Sequence, residues 1–246
     1  MKKYYFLILI CSMLMACSNK GGNKAGTENV KGNTEKTGQA ETSQSKSKTG
    51  KRIIPTAFDF SNICSMCGID IEYRQGEHCT IELEGDSALL THVTADVESG
   101  QLTLGLHSDS NKDINLYESN YNITAYITTP TLQYVSLCGS GNFRSTGTIK
   151  GTNIHIGSLS TGSFDVEEVE CETFKFEGTF HDRSTFHSVK ANSATIITYR
   201  KSESSFILDV DDLVIVSEGG SKVTVSGTAR NKQIMERGNS KVDDKL

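Results

Sequence analysis

Two cysteines, Cys64 and Cys67, have the Cys-x-x-Cys spacing that occurs in redox pairs, in halves of zinc sites and in local disulfides. A thioredoxin-type pair needs a strand-to-helix turn that lowers the thiol pKa, whereas this pair comes before a strand-like segment. A structural zinc site needs a second pair of ligands, and none is visible at a suitable spacing. Cys79, Cys138 and Cys171 follow, so intramolecular bridges among five cysteines would leave at least one thiol. We expect a disulfide or a thiol pair at Cys64 and Cys67, and no metal site.

Ionisable residues in the C-terminal half form a second candidate group. They are His181, Asp182, Arg183, His187, Asp165, Glu167 and Glu168. Two carboxylates about 5 to 10 Å apart in a cleft hydrolyse glycosidic bonds, and neighbouring segments of chain would bring such groups together. A polar face in contact with solvent has the same composition. We favour the solvated face and assign no catalytic residue.

Two further patterns suggest ligands only weakly. Asp209, Asp211 and Asp212 would offer oxygen ligands to Ca²⁺, but the Gly-rich nonapeptide of calcium-binding repeats is missing. Tyrosines that would form a small binding patch, or simply one face of a strand, are Tyr117, Tyr121 and Tyr126. The sequence has no P-loop, dinucleotide fingerprint or Gly-x-Ser-x-Gly elbow, so no cofactor is expected.

Cys17, near the N-terminus, is the cysteine for which the sequence predicts a specific modification. Lys2 and Lys3 precede an apolar run over residues 4–15, which would span only about 18 Å as a helix against a hydrocarbon core of about 30 Å. This is the pattern of a signal peptide over residues 1–16. The Leu-Met-Ala-Cys run at 14–17 resembles the lipobox of bacterial lipoproteins, which implies a lipid-modified Cys17 as the first mature residue and a membrane as a partner.

Residues 17–51 form a polar linker after this anchor. From Ser18 to Lys51 the chain is Gly, Ser, Thr, Asn, Gln, Lys and Glu, with three apolar residues only. Such a segment buries too little surface to offset the entropy of ordering, so we expect a flexible tether. Residues 1–51 carry nine Lys and three Glu, and a net charge of −5 for the chain leaves −11 on residues 52–246. This acidic balance argues against nucleic acid as a partner.

Residues 52–246 are predicted to form one all-β head domain. Strand-like alternation is clear at 68–73, 80–84, 101–104 and 121–127, and helical periodicity is confined to a turn around 87–93. An apolar residue after a small or polar one then recurs every 17 to 22 residues, at Phe143, Phe164, Phe186, Phe206, Val223 and Val242. This period, with Gly and Ser in the turns, predicts a right-handed parallel β-helix-like solenoid with coils of about 20 residues. Residues 53–126 would cap one end and the charged residues of the last coil the other, and the alternative is an antiparallel sandwich.

Several segments of the head resemble one known family. The runs Phe58-Asp59-Phe60-Ser61, Gly68 to Tyr73 and Ile81 to Asp86, followed by the coil Leu137-Cys138-Gly139-Ser140-Gly141, are similar to the putative auto-transporter adhesin "head GIN" domain. The resemblance covers about residues 54–242. It implies a β-helix-like fold, signal-bearing lipoproteins common in Bacteroidetes, and no catalytic residue.

Two functions follow as expectations. The first is an outer-membrane, cell-envelope lipoprotein, facing either the periplasm or the outside, whose non-catalytic head binds a surface protein or glycan. The second is a polysaccharide lyase or hydrolase on a pectate-lyase-like β-helix. A groove lined by clustered carboxylates and basic groups would favour the enzyme, and a smooth Ser/Thr-rich face would favour the binding protein.

Overall fold

The computed structural model describes residues 49–56, 58–107 and 121–246. The predicted signal peptide, Cys17, most of the linker and Tyr117 lie outside these residues. The first strand begins at Thr49, inside the segment assigned to the linker. The elements are β1 (Thr49–Ile54), β2 (Asn62–Ser65), β3 (Asp70–Gln75), β4 (Thr80–Asp86), α1 (Ser87–Leu90), β5 (Val93–Glu98), β6 (Gln101–Leu106), β7 (Thr124–Thr129), β8 (Tyr134–Leu137), β9 (Phe143–Ser158), β10 (Phe164–Gly178), β11 (Arg183–Thr198), β12 (Glu203–Glu218), β13 (Lys222–Arg237) and β14 (Lys241–Lys245).

The C-terminal half is a parallel β-solenoid, as the 20-residue period predicts. Strands β9 to β13 pair in parallel with their sequence neighbours, and each has 15 or 16 residues. Each strand is long enough to contribute to two faces. The first residues of β9 pair with β3, whereas its last residues pair with β8. The predicted all-β solenoid, of about six turns, is therefore confirmed.

Apolar side chains from successive coils stack in columns inside the solenoid. One column runs through Val135, Ile156, Phe176, Ile196 and Ile215, all of which are completely buried. Alternation along each strand sends every second residue inward, which is the periodicity that a pleated strand imposes. Val214 and Val216, on either side of Ile215 in β12, flank this column and are half-buried.

The recurring phenylalanines occupy two columns instead of one. Phe143 pairs with Phe164, but Phe186 pairs with Val166 and with Phe206. In the neighbouring column, the positions beside Phe186 and Phe206 are Ser184 and Ser204, which also pair with each other. A large ring therefore enters the second column where a small serine occupies the first, which keeps the core volume nearly constant from coil to coil.

The N-terminal strands extend the stack and cover its end. Strands β2 and β3 lie between the later coils and strands β6 and β7, so the order of strands in space differs from their order in sequence. Antiparallel strands follow outside them: β5 pairs with β6, and β4 pairs with β7 and with β1. The predicted helical turn is α1, and the side chain of Asp86 accepts a hydrogen bond from the Ala88 backbone at its start.

The opposite end of the stack is covered by charge. In the last coil, Lys232 pairs with Asp244 at 2.6 Å and Lys245 pairs with Asp243 at 2.9 Å. Charged edge strands disfavour pairing with a further chain. In the described residues, no helix is both long and apolar enough to cross a membrane.

Candidate functional site

Each coil of the solenoid turns at a corner between the end of one long strand and the start of the next. Backbone hydrogen bonds link the corners, for example from Thr179 N–H to the Ser158 carbonyl and from Tyr199 N–H to the Gly178 carbonyl. Several corner residues have a left-handed backbone, with φ of 54° at His181, 52° at Arg200 and 65° at Lys201. Left-handed non-glycine residues store strain, and such residues are often found at binding sites.

The corners of successive coils together line an open groove, here called the corner groove. Its lining residues are Leu159, Thr179, Tyr199, Arg200, Glu218 and Gly219, and they surround about 480 Å³. Leu159 is 46% exposed, and Phe180, beside the groove, is 41% exposed. Glu218 forms an ion pair with Arg237 at 3.0 Å. The groove thus combines apolar and aromatic surface with both signs of charge.

Below the same row of corners, Asp182 is completely buried. Ser184 donates a hydrogen bond to Asp182 Oδ2 at 3.0 Å, whereas Oδ1 has no hydrogen-bond partner among the residues that the structure describes. Burial raises the pKa of the Asp182 carboxyl. The sequence run His181-Asp182-Arg183 is thus divided, with Asp182 in the core and Arg183 outside, 3.6 Å from Glu203.

The other carboxylates considered for catalysis are held in ladders between coils. Asp165 lies 2.8 Å from His187 and 3.1 Å from Arg144, and the His187 contact is the main cause that lowers the pKa of Asp165. Glu168 lies 2.8 Å from Lys190. Glu167 accepts a hydrogen bond from the Gly147 backbone at 2.6 Å. These groups face solvent on a strand surface, in the arrangement expected for a solvated polar face.

The three aspartates considered for Ca²⁺ point to separate partners on the next coil. Asp209 accepts a hydrogen bond from Thr228 at 2.8 Å and Asp212 from Asn231 at 2.8 Å, and Asp211 pairs with Arg230 at 3.2 Å. The tyrosine patch is likewise dispersed over the described chain. Tyr126 is 42% exposed between Glu72 and Glu82, whereas Tyr121 packs against the core.

Residues 59–179 match the family model described as "Putative auto-transporter adhesin, head GIN domain". This segment is similar to a head GIN domain. The resemblance stated from the sequence is therefore confirmed. Among curated proteins, no sequence matches the chain.

Solved structures agree with the fold of the described chain. A putative adhesin from Bacteroides fragilis has a TM-score of 0.62 at 16% identity, over 79% of this chain and 96% of that one. A putative adhesin from Parabacteroides distasonis has a TM-score of 0.54 at 14% identity, over 80% of this chain and 98% of that one. At such identities the likeness establishes the fold.

Two of the cysteines downstream of the linker, Cys64 and Cys67, lie in different environments. Cys67 is buried, and burial raises the pKa of its thiol to about 11. Cys64 lies on the outer face, where its Sγ is 4.0 Å from Cys138 Sγ. All five cysteines downstream of the linker are thiols. The structure therefore brings Cys64 to Cys138, and it places Cys67 in the core.

The corner groove gave only a faint signal in the sequence. Leu159 and Phe180 each come two residues after a glycine, whereas Tyr199 has no glycine at that distance, so the turn residues do not mark the groove consistently. Their alignment depends on the register between coils, which differs by a residue or two from one pair of strands to the next. The outward direction of a turn residue is set by its local backbone, which residue type alone does not specify.

Proposed function

We propose that the protein is a lipid-anchored adhesin of the bacterial cell envelope, and that its head binds a surface glycan at the corner groove. The observation that carries the proposal is that the exposed Leu159 and the half-buried Tyr199 line one groove together with charged groups. The match to a family of putative auto-transporter adhesins supports the same role.

A glycan fits the chemistry of this groove. Sugar rings present C–H faces that would pack on Tyr199 and Leu159, and their hydroxyls are partners for Arg200 and Glu218. The groove runs across successive coils, so an extended chain would contact several coils in turn. Because the coils are hydrogen-bonded to their neighbours along their length, binding would order little of the protein.

Lipid on Cys17 is the second part of the proposed function. A diacylated Cys17 would hold the protein on a membrane without a spanning helix, since each buried CH₂ contributes about 0.8 kcal/mol and two chains suffice. The polar linker would then keep the acidic head clear of the lipid headgroups. We place this anchor in the outer membrane.

A glycan array tests the binding function. The full-length lipoprotein, extracted from membranes in detergent, is compared with the variants Tyr199→Ala and Tyr126→Ala. We expect Tyr199→Ala to weaken binding about tenfold, a loss of about 1.4 kcal/mol, because it removes the ring from the groove. Tyr126→Ala removes an exposed ring from a different strand and should bind like the parent.

The same experiment distinguishes the other partners. Binding that is equal in the parent and Tyr199→Ala contradicts the proposed groove. Binding to envelope proteins that survives periodate oxidation of their glycans indicates a protein partner instead. Shortened oligosaccharides after incubation would indicate the lyase or hydrolase.

Cell fractionation tests the anchor separately. The parent should sediment with outer membranes, and Cys17→Ala should be released into a soluble fraction, because it lacks the acceptor thiol. A Cys17→Ala protein that stays in the membrane fraction would contradict lipid anchoring. Protease treatment of intact cells then shows which side of the membrane the head faces.

A further inference from the structure

Three sulfur atoms from two separate segments meet on the outer face of the first coil. Cys64 Sγ lies 3.5 Å from Met66 Sδ and 4.0 Å from Cys138 Sγ. Cys64 lies in β2, and Met66 directly follows this strand. Residues two apart in an extended chain point to the same face. Cys138 directly follows β8, the strand that pairs with β2 in parallel. We call Cys64, Met66 and Cys138 the sulfur cluster.

Close backbone packing holds the two segments together. The Cys138 N–H donates to the Ser65 carbonyl at 2.8 Å. The next residue, Gly139, lies so near Cys67 that a Cβ there would stand 2.4 Å from the Cys67 carbonyl oxygen. Only glycine fits this contact. The backbone that carries the sulfur cluster is therefore fixed, whereas the Met66 side chain is 48% exposed and has several rotatable bonds.

The register disfavours a disulfide between Cys64 and Cys138. Cys64 is opposite Ser136, two residues before Cys138. With strands about 4.8 Å apart and a rise of about 3.3 Å per residue, their Cα atoms are roughly 8 Å apart. Cysteines with Cα atoms more than about 7 Å apart do not form a bridge unless the backbone moves.

A shared metal ion fits the same separation. Two sulfur ligands at about 2.3 Å from one ion lie roughly 3.8 Å apart in tetrahedral geometry and 4.0 Å apart in trigonal geometry. The Cys64–Cys138 distance of 4.0 Å matches the trigonal value. Met66 needs only a small rotation to move from 3.5 Å to the same separation from Cys64. Two thiolates and a thioether would then surround one ion.

The ligand types select a soft, monovalent ion. Thiolate and thioether sulfur favour Cu(I), whereas structural Zn²⁺ is held by four thiolate, imidazole or carboxylate ligands. In the residues that the structure describes, no three His, Cys, Asp or Glu side chains are grouped to hold a metal. We propose that the sulfur cluster is a trigonal Cu(I) site. Binding releases the two thiol protons to solvent and leaves copper and sulfur in their oxidation states.

A competition titration tests the site. The full-length lipoprotein in detergent is reduced, freed of reductant, and titrated without oxygen with Cu(I) held by the coloured chelator bicinchoninate. The parent should withdraw one Cu(I) per chain from the chelator. Cys64→Ser and Cys138→Ser should withdraw none, and Met66→Leu, which conserves volume, should withdraw copper less completely. Cys171→Ser, a half-buried cysteine on another coil, should behave like the parent.

Three results would overturn the proposal. The first is a parent protein that leaves the chelator complex intact, and the second is Cys64→Ser and Cys138→Ser variants that bind Cu(I) like the parent. The third is a Cys64–Cys138 disulfide found by mass spectrometry in protein isolated from membranes. Circular dichroism with the β-sheet signal of the parent confirms that the variants are folded, so that a loss of copper reports on the ligands.

Discussion

The ring of Phe186 stacks on that of Phe206, with ring centroids 4.8 Å apart and ring planes 11° apart. Phe176 from the adjoining column contacts both rings edge-on, at 5.1 and 5.3 Å. All three side chains are buried. This aromatic group fills the middle of the solenoid, where three coils meet.

We expect Phe186→Ala to lower the free energy of unfolding by about 3 to 5 kcal/mol, because it leaves a cavity between coils that cannot close without shifting their register. Urea denaturation followed by circular dichroism measures the change. The control is Phe180→Ala, which removes a ring that is 41% exposed at a corner. Equal losses in the two variants would contradict the packing argument.

These columns also show what the sequence could and could not predict. The period of about 20 residues identified the solenoid, because each coil must repeat the same inward pattern to stack. The aligned phenylalanines suggested one column, but the pairing of Phe186 with Val166 shifts the rings into a second. The pairing of β10 with β11 has an offset of 20 residues, as between Val166 and Phe186, whereas Phe164 and Phe186 are 22 residues apart, so the second ring lies two positions further along its strand.

The buried carboxyl of Asp182 predicts that stability depends on pH. A serine at this position tests the prediction, because the equivalent corner positions of the next two coils are Ser202 and Ser221. The Asp182 carbonyl accepts from Glu203 N–H, and the Ser202 carbonyl accepts from Lys222 N–H in the next coil. Serine therefore fits this backbone position. Burial raises the pKa of Asp182, so the folded state holds the proton more tightly than the unfolded state does. The stability contributed by protonated Asp182 is present below its ordinary pKa of 3.8 and is lost as pH rises through the raised value.

Asp182→Ser should accordingly raise Tm more at about pH 7 than at about pH 4, because it removes a buried carboxylate at neutral pH. Differential scanning calorimetry at both pH values measures this. Asp209→Ser, at an exposed position, keeps Asp182 and should retain the pH dependence of the parent. A gain for Asp182→Ser that is the same at both pH values would contradict the assignment.

The ion pairs of Glu177 predict the opposite dependence of stability on pH. Its carboxylate lies 2.9 Å from His155 Nε2 and 2.8 Å from Lys175 Nζ, and the hydrogen bond from His155 is the main cause that lowers the pKa of Glu177 to about 2. A lowered pKa stabilises the folded state above the unfolded value of 4.5, and this contribution is lost as pH falls through about 2.

We expect Glu177→Gln to lower the free energy of unfolding by roughly 1 to 2 kcal/mol at neutral pH and by little near pH 2. The loss is smaller than the pKa shift alone would give, because solvent reaches the side chain and screens the ion pairs. Urea unfolding across this pH range measures the difference. Glu172→Gln, an exposed carboxylate on the same strand, should change stability by less than about 0.5 kcal/mol. A loss for Glu177→Gln that persists at the acid end would contradict the ion-pair explanation.

The sulfur cluster illustrates a site that sequence reasoning missed. The Cys-x-x-Cys spacing drew attention to Cys64 and Cys67, but an odd separation along an extended chain sends the two side chains to opposite faces. Cys138 is 74 residues from Cys64 in the sequence. The two meet because β6 and β7 stack outside β2 and β3, which leaves β2 free to pair with β8. The sequence pattern gave no indication of this rearranged order.

Gly227 and Gly147 both have positive φ, but only Gly227 has a neighbouring strand close to where a Cβ would be, so alanine variants of the two distinguish backbone strain from steric clash. Gly227 has φ of 104°, and a Cβ there would stand 2.1 Å from the Leu208 carbonyl oxygen on the neighbouring strand. Gly147 has φ of 75°, and a Cβ there would meet nothing within 4 Å. Gly147→Ala should therefore cost only the strain, about 1 to 2 kcal/mol. Gly227→Ala adds a clash with backbone that cannot rotate away, for a total of roughly 2 to 6 kcal/mol. Parallel urea unfolding of both variants checks the order, and a Gly147→Ala variant that is less stable than Gly227→Ala would show that the contact between β12 and β13 relaxes without cost.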